Sequence, residues 1–255
     1  MSNVLLDSKQ AEYTWDGHKY PRVTSILASL NKPALVPAAV KATALYIESL
    51  VNAGADIDWI DVKREYRRGW DRKAADGTAV HLAIDAAISG QELDVELSPT
   101  QEQMMAQFYR WQRAFAPVYT ATEVAVFNET HDYAGTADFI ARLSDGRKLL
   151  FDVKTGKDLW PVMALQLAAY GHAEFMVHSG QRVPLPELDG WAVLHIRPDA
   201  FALREVRPEL RDIAWRGFLA ARQAHTWMEG DGKATGLVFD APALPTETMI
   251  PADVA

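Results

Sequence analysis

Two runs with strand patterning, Tyr133 to Leu143 and Lys148 to Lys154, stand on either side of Ser144-Asp145-Gly146, and few ways of joining them suit both. A two-residue Asp145-Gly146 turn sets Asp138 opposite Val153, which puts Asp138 and Asp152 on different faces of the hairpin. A three-residue loop, with Gly146 in the left-handed position of a bulged turn, instead sets Asp138 opposite Asp152 and Thr136 opposite Lys154. In this second register Ala137, Phe139, Ala141, Leu149, Phe151 and Val153 share the other face as one apolar surface. The hydrophobic pattern prefers it.

Two carboxylates directly across a strand pair repel one another, and such a pair is normally kept for a cation. The chain has no cysteine, which excludes disulfides, thiolate zinc sites, cysteine nucleophiles and a cysteine-ligated iron–sulfur cluster. A metal must then use oxygen or imidazole. Such ligands suit magnesium, manganese or calcium, of which the first two commonly support phosphoryl chemistry. His81 offers an additional nitrogen. Lys154 lies on the same face as Asp152, two residues on, where its ammonium reaches a water or phosphate beside the metal. Each piece has a plainer reading, since an Asp-x-Lys pair is common and a lone helical histidine is usually structural. Together they favour a catalytic group, with Asp138, Asp152 and Lys154 at its centre, over a surface ion-pair ladder.

The remaining sequence supplies helices and further strands. Val23 to Leu30 and Ala38 to Val51 read as helices, separated by Pro33 and Pro37. Asn52 to Asp61 is a connector, and Lys63, Arg64, Arg67, Arg68, Arg72 and Lys73 then form a basic patch interleaved with Tyr66 and Trp70. Asp76 offers an N-cap to a helix carrying Val80, Ile84 and Ile88 on one stripe beside His81. Thr100 to Phe115 is a second such helix, whose Met/Phe/Trp stripe reads as core. Strand patterning starts near Thr122, helical spacing returns over Trp160 to Val177, Trp191 to Ile196 and Phe201 to Val206 are strands, and Pro208 to Met228 is an amphipathic helix.

At these residues the chain resembles the RecB-like branch of the PD-(D/E)xK nucleases, the phage-type exonucleases related to the CRISPR-adaptation and mitochondrial genome maintenance nucleases. Gly77-Thr78-Ala79-Val80-His81 is similar to the family's histidine motif, Gly135-Thr136-Ala137-Asp138 to its second, and Asp152-Val153-Lys154-Thr155-Gly156-Lys157 to its third. Gln166 and Tyr170 match the following Gln-x-x-x-Tyr helix, on one face by their spacing of four. Tyr20 to Leu27, with Lys32 to Leu35, is more loosely similar to the start of phage members. The strong resemblance spans Gly77 to Gly171.

The resemblance implies an α/β, restriction-endonuclease-like core, a central mixed sheet flanked by helices, with a helical N-terminal portion. The chain then divides into residues 1–75 with a basic, arch-like segment, a nuclease core over 76–228, and a tail over 229–255 whose Gly, Pro and Thr without periodicity read as loosely ordered. It implies that His81, Asp138, Asp152 and the main-chain carbonyl of Val153 hold Mg2+ or Mn2+, that Lys154 orients or polarises the attacking water, and that Thr136, Gln166 and Tyr170 contact DNA. Glu123 has two readings, a further ligand acting directly or through water, or a solvated carboxylate at a strand end. Two departures stand out: the cluster-binding cysteines of many relatives are absent, and Ala137 precedes Asp138 where the founding motif has proline.

The function implied is metal-dependent exonucleolysis of DNA, in phage recombination, repair or processing, with Arg64, Arg67, Arg68 and Arg72 lining the entrance. Alternatives are a non-cleaving DNA-end binding subunit and an endonuclease of the same fold. A net charge of −8 opposes polyanion binding, so local cations must carry it. The N-terminus lacks a secretory pattern and no apolar run spans a membrane, which implies no membrane partner and a cytoplasmic location, the host's for a phage protein. Protein partners are not legible.

Overall fold

In the computed structural model, residues 5–7, 12–30, 35–93 and 95–230 are described, with side chains except at 5–7, 35, 66–67 and 69–76. Strands β1 (Leu5–Asp7), β2 (Glu12–Trp15) and β3 (His18–Pro21) open the chain as a small antiparallel sheet. Helices α1 (Val23–Ala28), α2 (Leu35–Asn52), α3 (Trp59–Ser89) and α4 (Pro99–Phe115) follow. Next come β4 (Val118–Asn128), β5 (Tyr133–Arg142) and β6 (Lys148–Lys154), then α5 (Val162–Gly171), β7 (Phe175–His178) and β8 (Gln181–Pro184). The last elements are β9 (Gly190–Ile196), β10 (Phe201–Glu205) and α6 (Pro208–Glu229).

The large sheet has seven strands in the order β10-β9-β6-β5-β4-β7-β8. All its pairings are antiparallel except β6 with β9, which is parallel and so requires the long crossover that α5 provides. The sheet is therefore mixed. Val23, Ile26 and Leu27 of α1, Leu167 to Tyr170 of α5, and Phe218 of α6 pack on one face. Val80 and Ile84 of α3, with Met105, Phe108 and Trp111 of α4, pack on the other against Phe139, Phe151 and Leu194. The architecture is the α/β arrangement expected, a central mixed sheet flanked by helices, with interior strands β5 and β6 buried on both faces.

The hairpin takes the three-residue register. Phe139 pairs with Phe151, Ile140 with Leu150, Ala141 with Leu149 and Arg142 with Lys148. Gly146 has φ +89°, a conformation that costs an L-residue side-chain clash, and its N–H donates to the Leu143 carbonyl. Of the six residues assigned to the apolar face, five join the α3/α4 side, whereas Ala137 packs with the α1/α5/α6 cluster.

Several local expectations are corrected. Residue 76 stands inside a helix and not at its start: α3 starts at Trp59, its N-terminus capped by the Asp58 side chain accepting from Ile60 N–H, and runs unbroken through residues 75 and 76. Helix α4 begins one residue before Thr100, with Ser98 as cap, Gln101 completing a capping box and Pro99 at the first turn. The Trp160 to Val177 stretch is not one helix, because α5 ends at Gly171 and Phe175 to His178 pair with β4. The opening strands were not foreseen. Residues 231–255, and so most of the tail assigned as loosely ordered, lie outside the described residues.

Gly171 marks how tightly the α5 end meets the sheet. A Cβ there would stand 1.9 Å from Trp191 Nε1, so the indole occupies the space a side chain needs. Gly171→Ala is expected to cost about 1–3 kcal/mol through this overpacking, read as a lower urea midpoint. An unchanged midpoint would contradict the packing account.

Candidate active site

Three adjacent strands carry one acid each at a common level. The pairs Thr122↔Phe139 and Val124↔Ala137 bracket Glu123 and Asp138 across β4 and β5. Pairing of β5 with β6 stops at Phe139↔Phe151, one step before Asp138 and Asp152. There the Asp138 carboxylate takes over as acceptor, its Oδ2 receiving Val153 N–H at 2.5 Å. Glu123 has φ +42°, a left-handed conformation uncommon for a residue with a side chain and tolerated where the surroundings enforce it.

Helix α3, anchored through Val80, Ala83 and Ile84, delivers His81, whose Nδ1 lies 3.5 Å from Asp138 Oδ1. His81, Glu123 and Asp138 each present a ligand atom, and these atoms lie within 4.8 Å of one another. The direction of Glu123, open in the sequence, is thus toward the histidine and Asp138.

Asp152 lies beside this group and is only 3% exposed. Its Oδ1 accepts from Gln166 Nε2 at 3.0 Å, and the same amide donates to the Tyr170 hydroxyl at 2.9 Å. Lys154 Nζ approaches Asp152 Oδ2 to 2.6 Å, yet that oxygen receives no well-directed hydrogen bond. Gly135 allows Tyr170 this position, since a Cβ on residue 135 would stand 2.4 Å from the ring. Beyond Lys154 the chain is pinned to the sheet edge, where His195 Nε2 contacts the Gly156 carbonyl and Arg197 donates to that of Lys157.

The electrostatics follow from crowding acids into protein. Burial raises the Glu123 pKa to about 7, with Asp138 and Asp85 adding repulsion and His81 opposing it. Burial also raises Asp152, an effect that the Lys154 ammonium counters and the Asp138 charge reinforces. For His81, burial pushes the imidazole down, but the hydrogen bond and charge of Asp138 outweigh it and hold the pKa up. Protons here stand in for missing positive charge. A dication among His81, Glu123 and Asp138 would displace them and offset the Asp138 charge that reinforces the Asp152 shift. Oxygen and imidazole donors without sulfur fit Mg2+ or Mn2+.

The other expected residues divide clearly. Thr136 lines the site, its Oγ1 2.6 Å from the Tyr13 hydroxyl. Val153 meets the cluster through its N–H, which donates to Asp138 Oδ2. Arg64 and Arg68 are exposed on α3 and border neither cavity at the cluster, and Arg68 is bonded to Asp61 at 2.5 Å. The side chains of Arg67 and Arg72 lie outside the described residues. Two cavities meet at Asp138. One of ≈ 490 Å³ is lined by His81, Asp85 and Glu123, and one of ≈ 230 Å³ by Tyr13, Arg22, Asp152, Lys154 and Gln166.

Tyr13, Arg22 and Asp85 were missed as site residues. Asp85 had a legible signal, lying one helical turn beyond His81. Tyr13 had none, because its partner Thr136 is 123 positions away.

No family model matches this chain, and no curated protein matches it. Among solved structures it is similar to the crystal structure of SSO0001, with 16% identity over 88% of this chain and 96% of that one. The TM-score of 0.30 is too low for this likeness to bear on fold or function.

The raised acids set a pH dependence for the metal-free protein. Folded Glu123 keeps a proton that the unfolded chain releases at lower pH, so stability falls as pH rises toward and through about 7. His81, favoured as imidazolium in the fold, acts in the same direction. Between about pH 5 and about pH 8 the metal-free Tm is expected to decline, less steeply in Glu123→Gln, with Mn2+ recovering most at the alkaline end. A metal-free Tm that climbs over this window would contradict the charge account.

Proposed function

We propose that this protein is a Mg2+- or Mn2+-dependent deoxyribonuclease of the PD-(D/E)xK type, in the RecB-like branch, that hydrolyses phosphodiester bonds at DNA ends. The observation that carries this reading is the meeting of Asp138, Asp152 and Lys154 from one hairpin with His81 and Glu123 from separate elements. A structural ion pair alone gives no reason to gather two carboxylates and an imidazole around one point with a third carboxylate beside them.

His81, Glu123 and Asp138 would hold the cation, with Asp152 at its edge. When bound, the metal supplies Lewis acidity toward a phosphate oxygen and a lowered pKa for water. Asp152 keeps Lys154 in place through the 2.6 Å contact, and Gln166 fixes the other Asp152 oxygen. Lys154 then steadies negative charge developing on the phosphate, as a fixed donor in a site partly shielded from solvent. Tyr170, fully enclosed and held strongly protonated by burial, serves as the rigid wall behind Gln166. An iron–sulfur cluster held by cysteine has no part in this chemistry, since no cysteine exists.

Phage DNA recombination, repair or processing is the setting this reading fits. The chain carries an overall charge of −8, so attraction to DNA depends on the cation and on positive side chains at the site such as Lys154. Among the described residues no helix is long and apolar enough to cross a membrane.

End-labelled linear DNA should be degraded in Mg2+ or Mn2+ and spared in chelator, with closed circular DNA resistant. Asp152→Asn and Lys154→Ala should each lower the rate roughly 10²–10³-fold while keeping the wild-type circular dichroism spectrum. Undiminished cleavage by both variants, or no cleavage by the wild type with either metal, would overturn the assignment.

A further inference from the structure

We infer that Arg22 is a phosphate-binding residue of this site, gripping an oxygen of the nucleic-acid strand in the cavity it lines with Lys154. The inference rests on the nuclease reading and adds a substrate contact from the N-terminal part of the chain.

Arg22 lines the ≈ 230 Å³ cavity together with Asp138, Asp152, Lys154, Gln166 and Tyr170. Its Nε is buried and has no hydrogen-bond partner, and among the described residues its guanidinium joins no ion pair. Both conditions are unusual. A buried donor is nearly always satisfied, and a cation beside carboxylates commonly pairs with one. Here Asp152 is engaged by Lys154 and Gln166, while Asp138 is engaged by Val153 N–H and His81. Arg22 therefore borders a cavity containing acids without an ion pair to either, which leaves the terminal N–H groups of its guanidinium for something that enters the cavity.

The side chain is also held in advance. Its main chain bridges Ala134 of β5 and accepts from Ile26 N–H at the start of α1. The next residue, Val23, is fully buried. Arg22 Cζ stands 5.4 Å from the centre of the Tyr13 ring, whose hydroxyl contacts Thr136, so the guanidinium rests on an aromatic face tied to the site strand. A planar, preorganised fork suits a phosphate, whose tetrahedral oxygens accept two parallel N–H bonds.

The same chemistry is offered by an internal backbone phosphate and by a terminal one. The test uses fluorescence anisotropy of a labelled single-stranded oligonucleotide with a 5′-phosphate or a 5′-hydroxyl, in Mg2+, on the slowly cleaving Asp152→Asn protein, read before cleavage. Adding Arg22→Gln should weaken binding about 10-fold or more and reduce the salt slope by the share of one phosphate contact, about 0.7 for a single strand. Arg22→Lys should recover part of the affinity, because it restores charge without the fork. Loss on both oligonucleotides assigns the anion to the backbone, and loss restricted to the 5′-phosphorylated one assigns it to the terminus. Either carries the inference. Equal affinity of the Arg22→Gln and parent proteins, with matching Tm and Mn2+ affinity, overturns it while leaving the nuclease reading intact. Absence of binding by the parent protein, with no cleavage by the wild type, strikes at the nuclease reading itself.

Discussion

Like charges held side by side are the constraint on which this structure turns. Glu123, Asp138 and Asp152 occupy the same level of three neighbouring strands, where the Asp138 charge raises the cost of ionising the other two. The fold tolerates this because the strands beneath are fixed by packing on both faces, with Phe139 stacked on Phe151 at 4.6 Å. Polar contacts then occupy what they can reach: Val153 N–H on Asp138, Gln166 on Asp152, and Lys154 against the remaining Asp152 oxygen. What is left over is an oxygen without a directed donor and negative charge, which a divalent cation would offset.

The surrounding elements make that constraint specific. Helix α3 inserts His81 from the α4 side of the sheet, while α5, on the other face, brings Gln166 and Tyr170 to Asp152. The N-terminal sheet closes the remaining side. Tyr13 reaches Thr136, and Asp132, at the turn before β5, is held by His18 Nε2 at 2.7 Å and by Arg222 of α6 at 2.8 Å. Residues far apart in the chain thereby share one rigid frame, the condition under which a cation site and its neighbours keep their geometry.

The centre of the site was legible because strand side chains repeat every second residue. One glycine, Gly146, and one apolar face chose between two hairpin registers, and with the register came the opposition of Asp138 and Asp152. The Gln166 and Tyr170 pairing was legible for the parallel helical reason. Features set by distant contacts were not. Nothing near Glu123 in sequence discloses its positive φ, and nothing near Tyr13 or Arg22 announces a partner on β5. Short strands such as His18 to Pro21 lack the length for a periodic signal, and Asp76 imitates a cap inside a helix already begun at Trp59. The Trp160 to Val177 error has a similar cause: Phe175 and Val177 continue a helical spacing, but their pairing with β4 outweighs local preference.

The most direct examination of the central claim is a crystal of the protein grown with Mn2+, with data collected at the manganese absorption edge. The account predicts an anomalous peak coordinated by Asp138 together with His81 or Glu123, with Asp152 bound to it directly or through one water. Manganese bound elsewhere, or a cluster that stays empty at a concentration saturating any cleavage, would contradict it.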